Sequence, residues 1–249
     1  MLIKAAVNGG RTTAEHAPVP VTPEVIARAS VEAVAAGADV VHAHARTADG
    51  GQTIAPGDVR ALVEAVRALD PDLVVGTTTG LWTCSGHLER MRLVEAWPED
   101  ALPSFASVAF CEEGAAEAAR LVLDRGMVLE SAVWSLADVP ALLAADSLHE
   151  NVRILIEPED EDADVAVAHA RAMAAMIREA GVELPLLYHG YDETSWPMVR
   201  AAIADGAEIR IGFEDDTTMP DGSPAPSNAA MIRAALDAFV GRAGSIMER

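Results

Sequence analysis

Eight times in succession this chain runs from a short β-forming stretch into a longer amphipathic one, and that repeat restricts its fold more than any other feature. The β-forming runs fall at 3–8, 39–44, 73–78, 105–110, 127–131, 152–157, 184–188 and 207–212. Amphipathic runs follow at about 22–37, 56–69, 87–95, 113–125, 136–145, 162–180, 195–204 and 227–240. Thr22-Pro23-Glu24 is a helix start, with Thr at the cap and Pro in the first turn. Eight such units in 249 residues predict a (β/α)8 TIM barrel, one domain over 1–249. The competing doubly wound sheet needs a Gly-rich phosphate turn after strand one, and Asn8-Gly9-Gly10-Arg11 lacks the G-x-G-x-x-G spacing.

The charge excludes several function classes. With 39 acidic residues against 18 basic ones the formal charge is −21, which repels nucleic-acid phosphates and anionic membranes. Cys84 and Cys111 form neither a metal-type pair nor a disulfide framework. No apolar run reaches the roughly 18 residues of a membrane helix, and Met1 to Asn8 reads as a strand, not a signal peptide. A cytoplasmic protein is the expectation. The acidic stretch from Glu157 to Asp162 reads as a solvated loop and helix N-terminus.

The chemistry centres on Val40-Val41-His42-Ala43-His44. Alternation along a strand points His42 and His44 the same way, about 7 Å apart along the backbone. Two imidazoles facing together suit a metal that adds a carboxylate and keeps a position open. In a closed barrel, strand one lies between strands two and eight, and active sites form at the strands' C-terminal ends. Glu214, just beyond strand eight, therefore falls on the same arc of the rim and is the expected third ligand. Zinc suits this donor set best; manganese, iron and cobalt also bind it. The loop 9–21, with Arg11 and His16, is placed to cover part of the mouth.

Several of these segments together resemble the beta-keto acid cleavage enzyme family, which includes the 3-keto-5-aminohexanoate cleavage enzymes. The resemblance rests on Thr22-Pro23-Glu24, the run from Ala35 to Arg46, Thr78-Thr79-Gly80, and the run from Arg210 to Asp215. It implies a zinc-dependent (β/α)8 enzyme, a homo-oligomer, that converts a β-keto acid and acetyl-CoA into acetoacetate and a new acyl-CoA. It implies that His42, His44 and Glu214 hold the metal, and that Asp215, with Arg210 and a water, moves protons. Glu130, ending strand five, matches a functional glutamate of the family. Thr78, Thr79 and Gly80 match its substrate-carboxylate segment, while Asn8 and Arg11 are rim residues able to hold a carboxylate.

The remaining residues carry blander expectations. Arg46 braces the loop after strand two, and His189 is either a site residue or a buried hydrogen-bonded histidine. His87, His149 and His169 belong on the surface. The chain departs from the family pattern at Leu81-Trp82, where a glycine and small polar residues are expected, and at 108–113, where an asparagine-bearing turn is expected. The alternative readings are a metal-dependent barrel hydrolase or aldolase with the same three ligands, and a non-catalytic relative that binds a keto acid.

Overall fold

Strands buried on both faces are short and largely apolar, and those of this chain are so apart from the charged Lys4, Glu130, Arg153, Glu208 and Arg210. The computed structural model describes residues 1–247, with side chains described through Gly241. Eight parallel strands close into a barrel in chain order. They are β1 (Ile3–Ala6), β2 (Val40–His42), β3 (Val75–Thr78), β4 (Phe105–Ala109), β5 (Val128–Val133), β6 (Asn151–Ile156), β7 (Leu186–Tyr188) and β8 (Glu208–Ile211). Between them run α1 (Pro23–Ala35), α2 (Pro56–Leu69), α3 (His87–Glu95), α4 (Ala115–Asp124), α5 (Val139–Leu143), α6 (Ala163–Glu179) and α7 (Ser195–Asp205), with α8 (Asn228–Met247) last. The expected TIM barrel is the observed fold. Glu248 and Arg249, the last residues of the expected domain, lie outside the described residues.

Two of the helices begin at side-chain caps. Thr22 caps α1, its side chain accepting from the Val25 N–H, and Asp162 caps α6 by accepting from Asp164 and Val165. The short α5 differs from its expected span of 136–145. Asp138 turns back to accept from the N–H groups of Trp134 and Ser135, so the helix starts only after it. Along β7, Pro185 has no N–H to donate, and the regular strand begins at Leu186 instead of Leu184. No helix among the described residues is long and apolar enough to cross a membrane.

Inside the barrel the side chains form tiers. The lowest tier is charged. Lys4 and Glu130 pair at 2.5 Å with neither side chain exposed, and Arg153 bonds both Glu130 and Glu208. Two positive and two negative groups leave this tier neutral. Phe105 lies across it, its ring 5.1 Å from Lys4 Nζ, and it packs so tightly on β3 that a Cβ at Gly76 would sit 2.2 Å from the ring. Above comes a small apolar tier of Ala109, Ala132, Leu155 and Leu187. The charged tier forbids removal of a single member, because a buried charge without a partner costs far more than an exposed one. Glu130→Ala is expected to lower stability by about 3–5 kcal/mol in urea unfolding; a loss below about 1 kcal/mol would show that the tier does not brace the barrel.

Candidate active site

The two histidines are placed by the junction of β1 and β2. His42 closes β2 in register with Ala6 on one side and Gly76 on the other. His44 lies beyond the ladder, where the Asn8 side chain replaces a strand. It accepts from the His44 N–H at 2.8 Å and donates to the His44 carbonyl at 2.9 Å. The chain then turns through Gly50 and returns, and the bridge between Arg46 and Gln52 brings Gln52 beside His44. Gln52 Oε1 lies 2.5 Å from His44 Nδ1 and accepts its proton. That leaves the Nε2 lone pair of His44 facing inward.

Glu214 comes from the other side of the barrel seam. Its N–H donates to the Ala6 carbonyl at 3.0 Å. Two glycines make this approach possible. A Cβ on Gly212 would lie 2.1 Å from the Ala6 oxygen, and one on Gly9, whose φ is +47°, would lie 2.1 Å from Glu214 Cγ. The Glu214 carboxylate thus reaches His44 Nε2 at 3.3 Å and His42 Nε2 at 3.6 Å, while the two Nε2 atoms are 3.0 Å apart. Tetrahedral ligands of one zinc ion stand about 3.3 Å apart.

The electrostatics suit a cation at this point. Burial holds His42 well below the usual imidazole range, so its ring is neutral and can offer a lone pair. Burial pushes the Glu214 carboxyl up, but the Arg210 guanidinium outweighs this and keeps it well below the usual carboxylate range. Glu214 Oε2 is buried and has no hydrogen-bond partner. An ionised carboxylate oxygen left bare beside two lone pairs fits a metal ion, and among the described residues only this group of three can hold one.

Arg210 and Asp215 stand beside the triad. The guanidinium grips Asp215 through Nε at 3.0 Å and Nη2 at 2.8 Å, and also reaches Glu214 Oε1 at 2.7 Å. Burial raises the Asp215 carboxyl in spite of Arg210 and His189. A carboxylate so placed is suited to accept a proton.

A cavity of about 410 Å³ opens over these groups, walled by Trp82, Trp134, Tyr191, Pro158, His189 and Glu157. Trp82 lies nearly parallel to the His44 ring at 6.4 Å and donates to the same Gln52 Oε1 at 3.1 Å. Trp134 is 5.9 Å from Trp82 and donates to Glu157 Oε2 at 2.8 Å. Glu157 is therefore no part of a solvated loop. Its Oε1 lies 2.6 Å from His189 Nε2, whereas Glu159 and Glu161 further along are exposed. The sequence signal for Glu157 was its place at the end of β6, facing the same way as Arg153 and Leu155.

The other expected residues divide. Thr78 and Gly80 line a narrow extension of the cavity beneath His42. Thr79 points outward and donates to the Ser107 carbonyl at 2.7 Å, because alternation lets only one of two adjacent strand residues face the site. Glu130 sits in the charged tier below and lines no part of the cavity, so its place is structural. Asn8 spends its amide on His44. Arg11 is committed at the rim, 2.5 Å from Asp192 and 4.3 Å from the Tyr191 ring. Arg46 braces the loops as expected, donating to the carbonyls of Gly50 and Arg11 at 2.8 Å. His16 ties the loop 9–21 to Ala225 at 2.7 Å. His149 is exposed, while His87 and His169 are half-buried.

The two segments that depart from the family pattern are joined to each other. Glu112 Oε1 accepts from the Leu81 N–H at 2.7 Å, and the buried Arg90 holds Glu112 Oε2 at 2.6 Å. The turn after β4 thereby fixes the turn after β3 that carries Trp82.

Comparison with known proteins gives the family and the fold. The family model described as beta-keto acid cleavage enzyme matches residues 1–247. A 3-keto-5-aminohexanoate cleavage enzyme from Fusobacterium nucleatum subsp. nucleatum is 28% identical over 244 residues, covering 93% of this chain and 88% of that protein. A 3-dehydrocarnitine:acetyl-CoA trimethylamine transferase from Rhizobium meliloti is 39% identical over 83 residues, 32% of this chain and 28% of that one. Among solved structures, apo ObcA superposes with a TM-score of 0.74 at 18% identity, over 91% of this chain and 62% of the ObcA chain.

Gln52 orients His44 and Gly9 admits Glu214. Gln52→Ala and Gly9→Ala are each expected to weaken divalent-metal binding by about 10–100-fold in a chelator-competition titration. Wild-type affinity in both would remove these supports from the site.

Proposed function

Because this chain belongs to the beta-keto acid cleavage enzyme family, we propose that it converts a small β-keto acid and acetyl-CoA into acetoacetate and a new acyl-CoA. A zinc ion held by His42, His44 and Glu214 completes the site. The observation that carries this reading is the convergence of those three ligand atoms within 4.8 Å of one another, beside a fully buried Asp215 gripped by Arg210. Acetyl-CoA stands in the name of the Rhizobium meliloti relative, which supports it as the second substrate.

When bound, the cation supplies Lewis-acid stabilisation of the negative charge that develops as a β-keto acid ionises. Asp215 takes a proton from the carbon between the keto and carboxylate groups. Arg210 keeps Asp215 aimed and offsets charge on both carboxylates. Thr78 Oγ1 accepts from the Gly80 N–H at 2.9 Å, which leaves its own O–H free to donate to the substrate carboxylate. Trp82 and Trp134 shield the reacting carbon from water. It attacks the thioester carbonyl, thiolate is expelled and attacks the original keto carbon, and the old carbon–carbon bond breaks. The acetoacetate carbon then regains one proton from the protein. No net proton is consumed, so the side chains must hold one proton through the middle of the cycle.

The test is acetoacetate formation by zinc-loaded protein from acetyl-CoA and β-keto acids with cationic, neutral and anionic tails. His44→Ala is expected to lose both metal and turnover. Asp215→Asn should keep the metal and lose about 10²–10⁴-fold in kcat. Silence across the panel from a protein that holds one metal per chain would sink the acetyl-CoA reading in favour of a hydrolase or aldolase.

A further inference from the structure

Apart from the proposed metal ligands and Arg210, the ionisable side chains that line the cavity are Glu157, Glu159 and His189, and the rings of Trp82, Trp134 and Tyr191 stand among them. Trp134 fixes Glu157 by donating to Oε2 at 2.8 Å. The other oxygen, Oε1, is 2.6 Å from His189 Nε2, yet that buried nitrogen has no hydrogen-bond partner among the described residues. The approach is one of charge without a directed bond, and it leaves Oε1 to take a donor from the cavity.

We propose that the β-keto acid of this site carries an ammonium group on a short tail, read by Glu157 between the rings of Trp82 and Trp134. This rests on the β-keto acid reading above and adds the class of its tail. The tail is short because only the His189 ring separates Glu157 from Asp215, its Nδ1 lying 3.8 Å from Asp215 Oδ1.

The distribution of charge excludes the other tails. Glu157, Glu214 and Asp215 are three carboxylates around one guanidinium, and Arg210 already holds Glu214 and Asp215. With Asp215 ionised as the base and His189 neutral, a divalent cation and the substrate's own carboxylate leave this interior one charge negative. Glu159 adds a second negative charge at the rim. An anionic tail would meet no free cation, because Arg11 is tied to Asp192. A hydrocarbon tail would strip water from Glu157 Oε1 and offer it nothing, which is costly for an ionised group. Glu157 is ionised in the fold: burial pushes its carboxyl up, but His189 and Arg210 outweigh this and hold it below the usual carboxylate range.

The aromatic wall suits the same group. Trp82 and Trp134 have ring centroids 5.9 Å apart and planes 34° from parallel. A cation beside a tryptophan face is attracted to the ring, more strongly where water is excluded. Tyr191 already makes such a contact, with the Arg11 guanidinium 4.3 Å from its ring. Outside, Glu159 and Tyr191 also line an open hollow with Asp160, Glu161, Glu193 and Asp216. Its field draws cations toward this side of the mouth and repels anions.

The experiment compares β-keto acids of one chain length that end in an ammonium, a methyl or a carboxylate group, using full-length, metal-loaded protein. Calorimetry without acetyl-CoA reads binding, and acetoacetate formation reads turnover. The ammonium acid is expected to bind about 100-fold more tightly than the methyl acid, and the carboxylate acid more weakly than either. Glu157→Gln, which keeps the shape and removes the charge, should bring that ratio close to one, while Glu157→Asp keeps most of it. Trp82→Leu, in an exposed turn, should lower the ratio by about 5-fold, and it decides the matter together with Glu157→Asp if Glu157→Gln does not fold. Equal binding of the ammonium and methyl acids, or an unchanged ratio in Glu157→Gln, would overturn the tail assignment, and acetoacetate formation would still uphold the family reaction. The expected preference in binding without acetoacetate from any acid would overturn that reaction and uphold the tail assignment. Binding of none of the three would overturn both.

Discussion

The site depends on the closing of the barrel at the β8–β1 seam. A sheet that closes has no edge, and its last strand must meet its first backbone to backbone. Here that meeting is tight, because Gly212 lies against the main chain of Ala6 and the Glu214 N–H bonds to the Ala6 oxygen. Residues more than 170 positions apart in sequence thereby share one small volume. The same seam places Asp215 and Arg210, so the ligand and the proposed base are set by one set of backbone contacts. Side-chain adjustment alone would not bring Glu214 to His42 and His44.

The second theme is how positive charge is used in a chain of net charge −21. The cations inside the barrel are all spoken for. Lys4 and Arg153 hold Glu130 and Glu208 in the lowest tier, and Arg210 holds Glu214 and Asp215 above them. A buried pair contributes little net stability against an apolar replacement, but it fixes positions because either charge alone would be costly. Arg11 does similar work at the rim, and Arg90 does so behind the Trp82 turn. In this molecule arginine acts chiefly as a brace for loops and carboxylates.

Much of this could be read before the fold was known, and the failures have physical causes. His42 and His44 were legible because strand alternation is strict, and Glu214 because barrel order makes strands two and eight near neighbours. Thr79 was misplaced by reading a pair of adjacent residues together where the same alternation separates them. Asn8 was expected at the site from its place on the rim, and Glu130 from the family resemblance at the end of strand five. What they do depends on contacts with the His44 backbone and with Lys4, neither of which leaves a periodic trace. Glu157 was hidden by the acidic residues after it, whose exposure says nothing of the last inward-facing strand position. Its partner His189 arrives from the neighbouring strand, and only the completed barrel shows the two together.

The aromatic wall gives the protein an optical property. Two of its four tryptophans stand at the mouth, Trp82 nearly parallel to a proposed metal-ligand ring and 5.9 Å from Trp134, whereas Trp97 is buried against Ile54. Rings so close share their excited states, and the near-ultraviolet dichroism of the pair records their mutual angle. A paramagnetic ion such as cobalt beside His44 would quench the Trp82 emission, while zinc would not. The centre therefore carries its own spectroscopic indicator, sensitive to which metal is present and to whether the Trp82 turn has moved.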